Sequence, residues 1–113
     1  MKEIGSFESK QFGKVTVLCG VYERDDGPMA IQLMCNTDSF EEPLAKLSVN
    51  MYRPECSHDS RDLPVGCFYA KTYGENELIA GEALASGLFR QRDDLPKASS
   101  GWVEAPAWEL VAQ

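Results

Sequence analysis

Through the first half of this chain, hydrophobic and polar positions alternate, and a helical spacing replaces that alternation only once, late in the sequence. In Val15-Thr16-Val17-Leu18-Cys19-Gly20-Val21-Tyr22 the odd positions are Val, Val, Cys and Val, one buried strand face at period two. Met29 to Cys35 again carries its bulk at odd positions, and Arg24-Asp25-Asp26-Gly27-Pro28 between the two runs reads as a turn. Directly opposed residues of an antiparallel hairpin share a face, so two odd faces coincide only when the loop holds an odd number of residues. A three-residue loop, Asp25-Asp26-Gly27, meets that condition, with Gly27 in the left-handed conformation. It sets Val21 opposite Ile31 and Cys19 opposite Leu33. Cys19 and Cys35 become diagonal neighbours, and no disulfide is expected between them.

A second turn is expected at Asp38-Ser39-Phe40-Glu41-Glu42-Pro43, then a strand in Lys46-Leu47-Ser48-Val49-Asn50-Met51, whose alternation implies one buried and one wet face. Arg53 to Pro64 is the longest polar run and reads as an exposed loop; Gly66 to Lys71 reads as a fourth strand. The helical spacing covers Glu75 to Ser86. Glu75 and Glu77 complement the helix dipole, Thr72 or Gly74 offers the entry, and Gly87 is placed to end the helix. Its apolar residues Leu78, Ile79, Ala80, Ala83 and Leu84 form a broad arc suited to lying on a sheet, and Gly81 suggests close packing. Leu88-Phe89-Arg90 and Trp102 to Val111 read as the last strands, with a bulge or edge position at Pro106. The expectation is an α+β fold: one domain over residues 1–113, with an antiparallel sheet of five or six strands and one main helix packed on it.

Composition changes the picture in two ways. With 113 residues and 43% hydrophobic positions the chain can build one core, and no apolar run is long enough to cross a bilayer. The start lacks the apolar stretch of a secretory signal, so a cytoplasmic setting with four reduced cysteines is expected. Eighteen acidic against eleven basic residues give a net charge of −7, which disfavours direct contact with nucleic-acid phosphates and suits docking on a basic protein surface. The acidic pairs Asp25-Asp26, Glu41-Glu42 and Asp93-Asp94 all lie beside turn-like residues.

Candidate chemistry is sparse. Cys56, His58 and Cys67, with Asp59 or Asp62, could ligate a metal, but the paired C-x₂-C spacing of structural zinc sites is missing, so no metal or other cofactor is expected. Cys56 and His58, the sole histidine, are spaced to share one side of an extended loop, as a nucleophile and base would need; the default reading of the same residues is a solvated histidine beside an ordinary thiol. Glu104 and Glu109, flanked by Trp102 and Trp108, are candidate paired carboxylates, or else strand residues facing water while the indoles cover the core. No phosphate-cradling glycine loop is present. Of the rigid aromatics, Tyr52, Phe68, Tyr69, Tyr73, Trp102 and Trp108 could anchor an interface, although most are expected in the core.

Three blocks, Leu47-Ser48-Val49-Asn50, Phe68 to Glu77 and Gly101 to Leu110, resemble an uncharacterised domain-of-unknown-function family of small proteins from bacterial plasmids, integrated elements and phages. The resemblance spans the chain from about Leu47 onward and implies a mobile-element setting, with no catalytic residues to carry over. Together with charge and size it leads to one expectation: a non-enzymatic acidic protein that binds a basic host or element protein, as anti-restriction and anti-CRISPR inhibitors do. Asp25, Asp26, Glu75, Glu77, Asp93, Asp94, Trp102, Glu104 and Trp108 are the candidate binding residues. The alternative is a small enzyme or ligand-binding domain using the Cys56/His58 loop or Glu104 and Glu109.

Overall fold

The computed structural model describes residues 1–22, 28–37, 40–52 and 55–111. The alternating N-terminal half forms an antiparallel sheet of β1 (Lys2–Ser9), β2 (Gly13–Val21), β3 (Met29–Thr37) and β4 (Phe40–Lys46), in that order. A second sheet has the order β5 (Ser48–Val49), β6 (Cys67–Ala70), β10 (Ala107–Leu110) and β7 (Phe89–Gln91). A two-stranded hairpin, β8 (Ala98–Ser100) with β9 (Val103–Ala105), stands apart, and α1 spans Glu77–Ala85. The α+β class and the main helix agree with the sequence; the sheet does not, because its strands divide among sheets of four, four and two.

Leu47 is where the division happens. Its amide donates to Ile31 of the first sheet and its carbonyl accepts the Lys71 amide beside the second, with the side chain fully buried. The run expected as one alternating strand is therefore broken, and Ser48, expected to be wet, is buried. Its hydroxyl group accepts the Ile31 amide at 2.8 Å and lies 2.8 Å from the Tyr22 hydroxyl. Phe40 to Pro43 are strand rather than turn. Pro43 is tolerated because β4 is an edge strand, next to a register slip between Leu33 and Met34.

The hairpin of β2 and β3 keeps the expected face but not the expected register: Val21 opposes Met29 and Cys19 opposes Ile31. The slip is two residues, so parity survives. In the observed register the buried Val17 meets Leu33 and the buried Val15 meets Cys35, whereas the expected register would set Val15 against Thr37. Cys19 and Cys35 are consequently not diagonal neighbours, and both are free thiols. Tyr22 closes on Pro28 through its amide; the expected turn residues 23–27 lie outside the described residues, as do Asp38 and Ser39.

Helix α1 buries a strip of Ile79, Ala80 and Ala83, with Leu84 half-buried, against β1 and β7. The apolar arc is narrower than the sequence suggests, since Leu78 is 75% exposed. Gly87, at φ +87°, ends the helix in the left-handed conformation as expected. Entry runs through a 3-10 turn, Gly74–Asn76, whose Asn76 is buried and donates to the Lys46 and Lys71 carbonyls at 2.7 and 3.2 Å. The main core joins both sheets and the helix around Val15, Leu33, Phe68, Phe89 and Trp108. A second cluster of Met51, Tyr69, Ala98, Ala105 and Ala107 lies under the hairpin.

Candidate functional site

The two tryptophans have opposite fates. Trp108, on β10 between β6 and β7, is 1% exposed and meets Phe68 and Phe89 at ring-centroid distances of 6.2 and 5.9 Å. Its indole N–H donates to Gln91 Oε1 at 3.3 Å, so this residue packs in the core rather than standing out as an exposed anchor. Trp102 is fully exposed. The β8–β9 register pairs Ser100 with Val103, leaving Gly101 and Trp102 as the two turn residues, and Gly101 has the positive φ, +60°, of primed two-residue turns. That geometry sends the indole off the end of the hairpin. Pro106 splits the expected final strand: β9 stays with the hairpin and β10 enters the second sheet, while the Pro106 carbonyl accepts the Ala70 amide.

This split also separates the candidate carboxylates. Glu104, on β9, is exposed and lies 3.7 Å from Lys97 Nζ. Glu109, on β10, is gripped by Arg90 across the strand pair and by Arg92 at 3.6 Å. They sit in different sheets with different cations, an arrangement that ties strands rather than pairing two acids.

The segment read as an exposed loop is docked. Asp59 and Ser60 are buried, and Asp59 caps a 3-10 turn, Ser60–Asp62, by accepting the Arg61 amide at 2.9 Å and its guanidinium at 3.1 and 3.0 Å. Ser60 Oγ accepts the Met51 amide. Ser57 adds a short edge to the hairpin: its amide donates to the Ser99 carbonyl, and its hydroxyl accepts the Ser99 amide. Cys56 Sγ lies 3.4 Å from Met51 Sδ, whereas His58 Nδ1 lies 3.0 Å from Ser57 Oγ, so each side chain has its own partner. Cys67 is buried in β6, where burial pushes its thiol up despite the opposing Arg92 guanidinium 3.8 Å away. Among the described residues, no three His, Cys, Asp or Glu side chains gather as metal ligands would.

The remaining acidic candidates are exposed and mostly paired. Glu75 is held below the usual carboxylate range by its own backbone amide and then by Lys71, at 3.2 Å. Asp94 is held down to about 2, chiefly by hydrogen bonds from Arg92 at 2.8 and 2.6 Å. Asp93 accepts from Gln91 Nε2 at 2.9 Å. Glu77 makes no ion pair with any described residue. Asp25 and Asp26 lie outside the described residues. Three candidates do converge: Glu77 of α1, Glu104 of β9 and Trp108 of β10 line one cleft of about 320 Å³, together with Gly81, Leu84 and Lys97. Sequence reasoning missed the cleft because its walls are brought together only when the hairpin folds beside the helix.

No helix among the described residues is long and apolar enough to cross a membrane. No family model matches the chain, and no curated protein and no solved structure matches it either.

Proposed function

We propose that this chain is a non-enzymatic protein-binding protein of a mobile genetic element, a counter-defence inhibitor whose acidic surface docks on a basic, nucleic-acid-binding surface of restriction or CRISPR machinery. The observation that carries this reading is Trp102, an indole fully exposed at a hairpin tip two residues from the exposed Glu104. An exposed tryptophan adds nothing to the core, yet it buries a large area at small entropic cost when a partner covers it. The net charge of −7 gives the complementary steering toward a basic partner. The hairpin is well held to present it, with Ala98 and Ala105 fully buried and Ser57 bonded along β8.

Affinity capture from a host that carries such defence machinery tests the reading. The expected result is one dominant basic, nucleic-acid-binding protein, retained at low salt and released as ionic strength rises. Recovery of no such protein at low salt overturns it.

A further inference from the structure

We propose that the cleft between α1 and the β8–β9 hairpin is a socket for one arginine side chain of the docking partner, its guanidinium held between Glu77 and Glu104. This rests on the protein-docking reading above and names the chemistry of its contact. Three observations lead to it. One carboxylate comes from each wall, Glu77 from the helix and Glu104 from β9. The rest of the lining is mixed: Ala80, Leu84 and Pro106 offer apolar contact for the methylene stem of a long basic side chain, beside the polar Thr72 and Gln91.

Gly81 is the second observation. Glycine in a helix interior weakens it relative to alanine, so some benefit is expected in return. Packing within the fold supplies none, because a Cβ built on Gly81 would meet nothing within 4 Å. The missing side chain instead keeps the cleft open. Third, a cation already stands at this place: Lys97 Nζ lies 3.7 Å from Glu104 Oε1, with both side chains more than half exposed. That contact is long and solvated, so it is weak and displaceable. Lys97 acts as a placeholder. A guanidinium is planar, less strongly hydrated than an ammonium and able to bond two carboxylates at once, which gives it the advantage in displacing Lys97.

The test is a titration of the folded protein with N-acetyl-arginine N-methylamide, followed by amide and indole N–H NMR signals. Saturable shifts are expected at Gly81, Glu77, Glu104 and the Trp108 indole, and none with the neutral citrulline analogue. Gly81→Leu, which fills the cleft and favours the helix, abolishes them; Glu104→Gln weakens them even if the leucine variant folds poorly. Lys97→Gln tightens binding about two- to fivefold, the release of one exposed ion pair. Equal shifts with citrulline, an unaffected Gly81→Leu, or no shifts at the cleft would overturn the assignment. So would tighter binding of a small diamine, which would make the occupant a free amine. The titration needs no partner protein, so its failure leaves docking through Trp102 standing, while failed capture with a positive titration removes the docking partner as the source of the arginine and leaves the guanidinium-binding cleft.

Discussion

Glu82 on α1 is bonded to Ser9 at the end of β1: its Oε1 accepts the Ser9 hydroxyl at 2.7 Å, and its other oxygen accepts the Lys10 amide at 2.8 Å. Ser9 Oγ also accepts the amides of Gln11 and Phe12, both at 3.2 Å, so one buried hydroxyl shapes the β1–β2 turn and ties it to the helix. Ser9→Ala is expected to cost about 1 kcal/mol by chemical denaturation, the net worth of such a bond with its turn. The Glu82 carboxyl is held below its usual range, first by the Lys10 amide and then by Ser9. A lowered folded pKa stabilises above the unfolded value and is lost as pH falls through the folded one, so Glu82→Gln flattens the acid limb of the stability profile.

Asn76 carries a larger penalty. It is buried, and it satisfies two backbone carbonyls that join the helix entry to the strand-crossing segment. Asn76→Leu is expected to cost about 1 to 3 kcal/mol of stability in denaturant titration, because both carbonyls lose the buried amide that donates to them. Asn76→Asp should be worse, since it sets a carboxylate against those carbonyls. A midpoint unchanged in either variant would contradict the account of this junction.

The two glycines of the helical segment are expected to respond with opposite signs. Gly87→Ala puts a Cβ at φ +87° and should destabilise by about 1 kcal/mol. Gly81→Ala meets open space and should stabilise by a similar amount. Thermal melts of the two single variants decide the matter, and a common sign would refute it.

Asp94 offers a pH signature. Its carboxyl is held down to about 2 by Arg92, whose own guanidinium is pushed further up by the same contact. The contribution is present above the ordinary aspartate value and is lost as pH falls toward 2. Carboxyl NMR titration should find Asp94 low in the wild type and returned toward about 4 in Arg92→Ala.

Much of the fold was legible in the alternation of the N-terminal half and in the single helical run. Period two put Val15, Val17, Ile31 and Leu33 on one buried face, and Gly87 marked the helix end. The register was not legible, because parity admits every slip of two residues and only the opposition of Val17 to Leu33 chooses among them. Sheet count was hidden for a similar reason: nothing local to Leu47 or Pro106 tells a strand that bends from a strand that changes sheets. At the site, the C-terminal block held two identical side chains, and turn geometry at Gly101 separated the exposed Trp102 from the core Trp108. The burial of Asp59 was foreshadowed by Asp59-Ser60-Arg61-Asp62, a local capping pattern inside a run that reads as polar loop.

The indoles therefore predict a clean division of labour. Trp108→Ala should destabilise by about 3 to 5 kcal/mol, as loss of a buried aromatic does. Trp102→Ala should leave stability within about 0.5 kcal/mol. Denaturant titrations of both variants check this, and a costly Trp102→Ala would mean that the hairpin tip is structural.

Phage plating on a host whose restriction or CRISPR machinery blocks infection tests the central claim most directly, with the wild-type chain or Trp102→Ala expressed to equal levels. The wild type is predicted to restore plaques and the folded Trp102→Ala variant to leave the host protected. Protection undisturbed by the wild type, or plaques restored equally by the variant, would contradict a protein that works by docking through its hairpin tip.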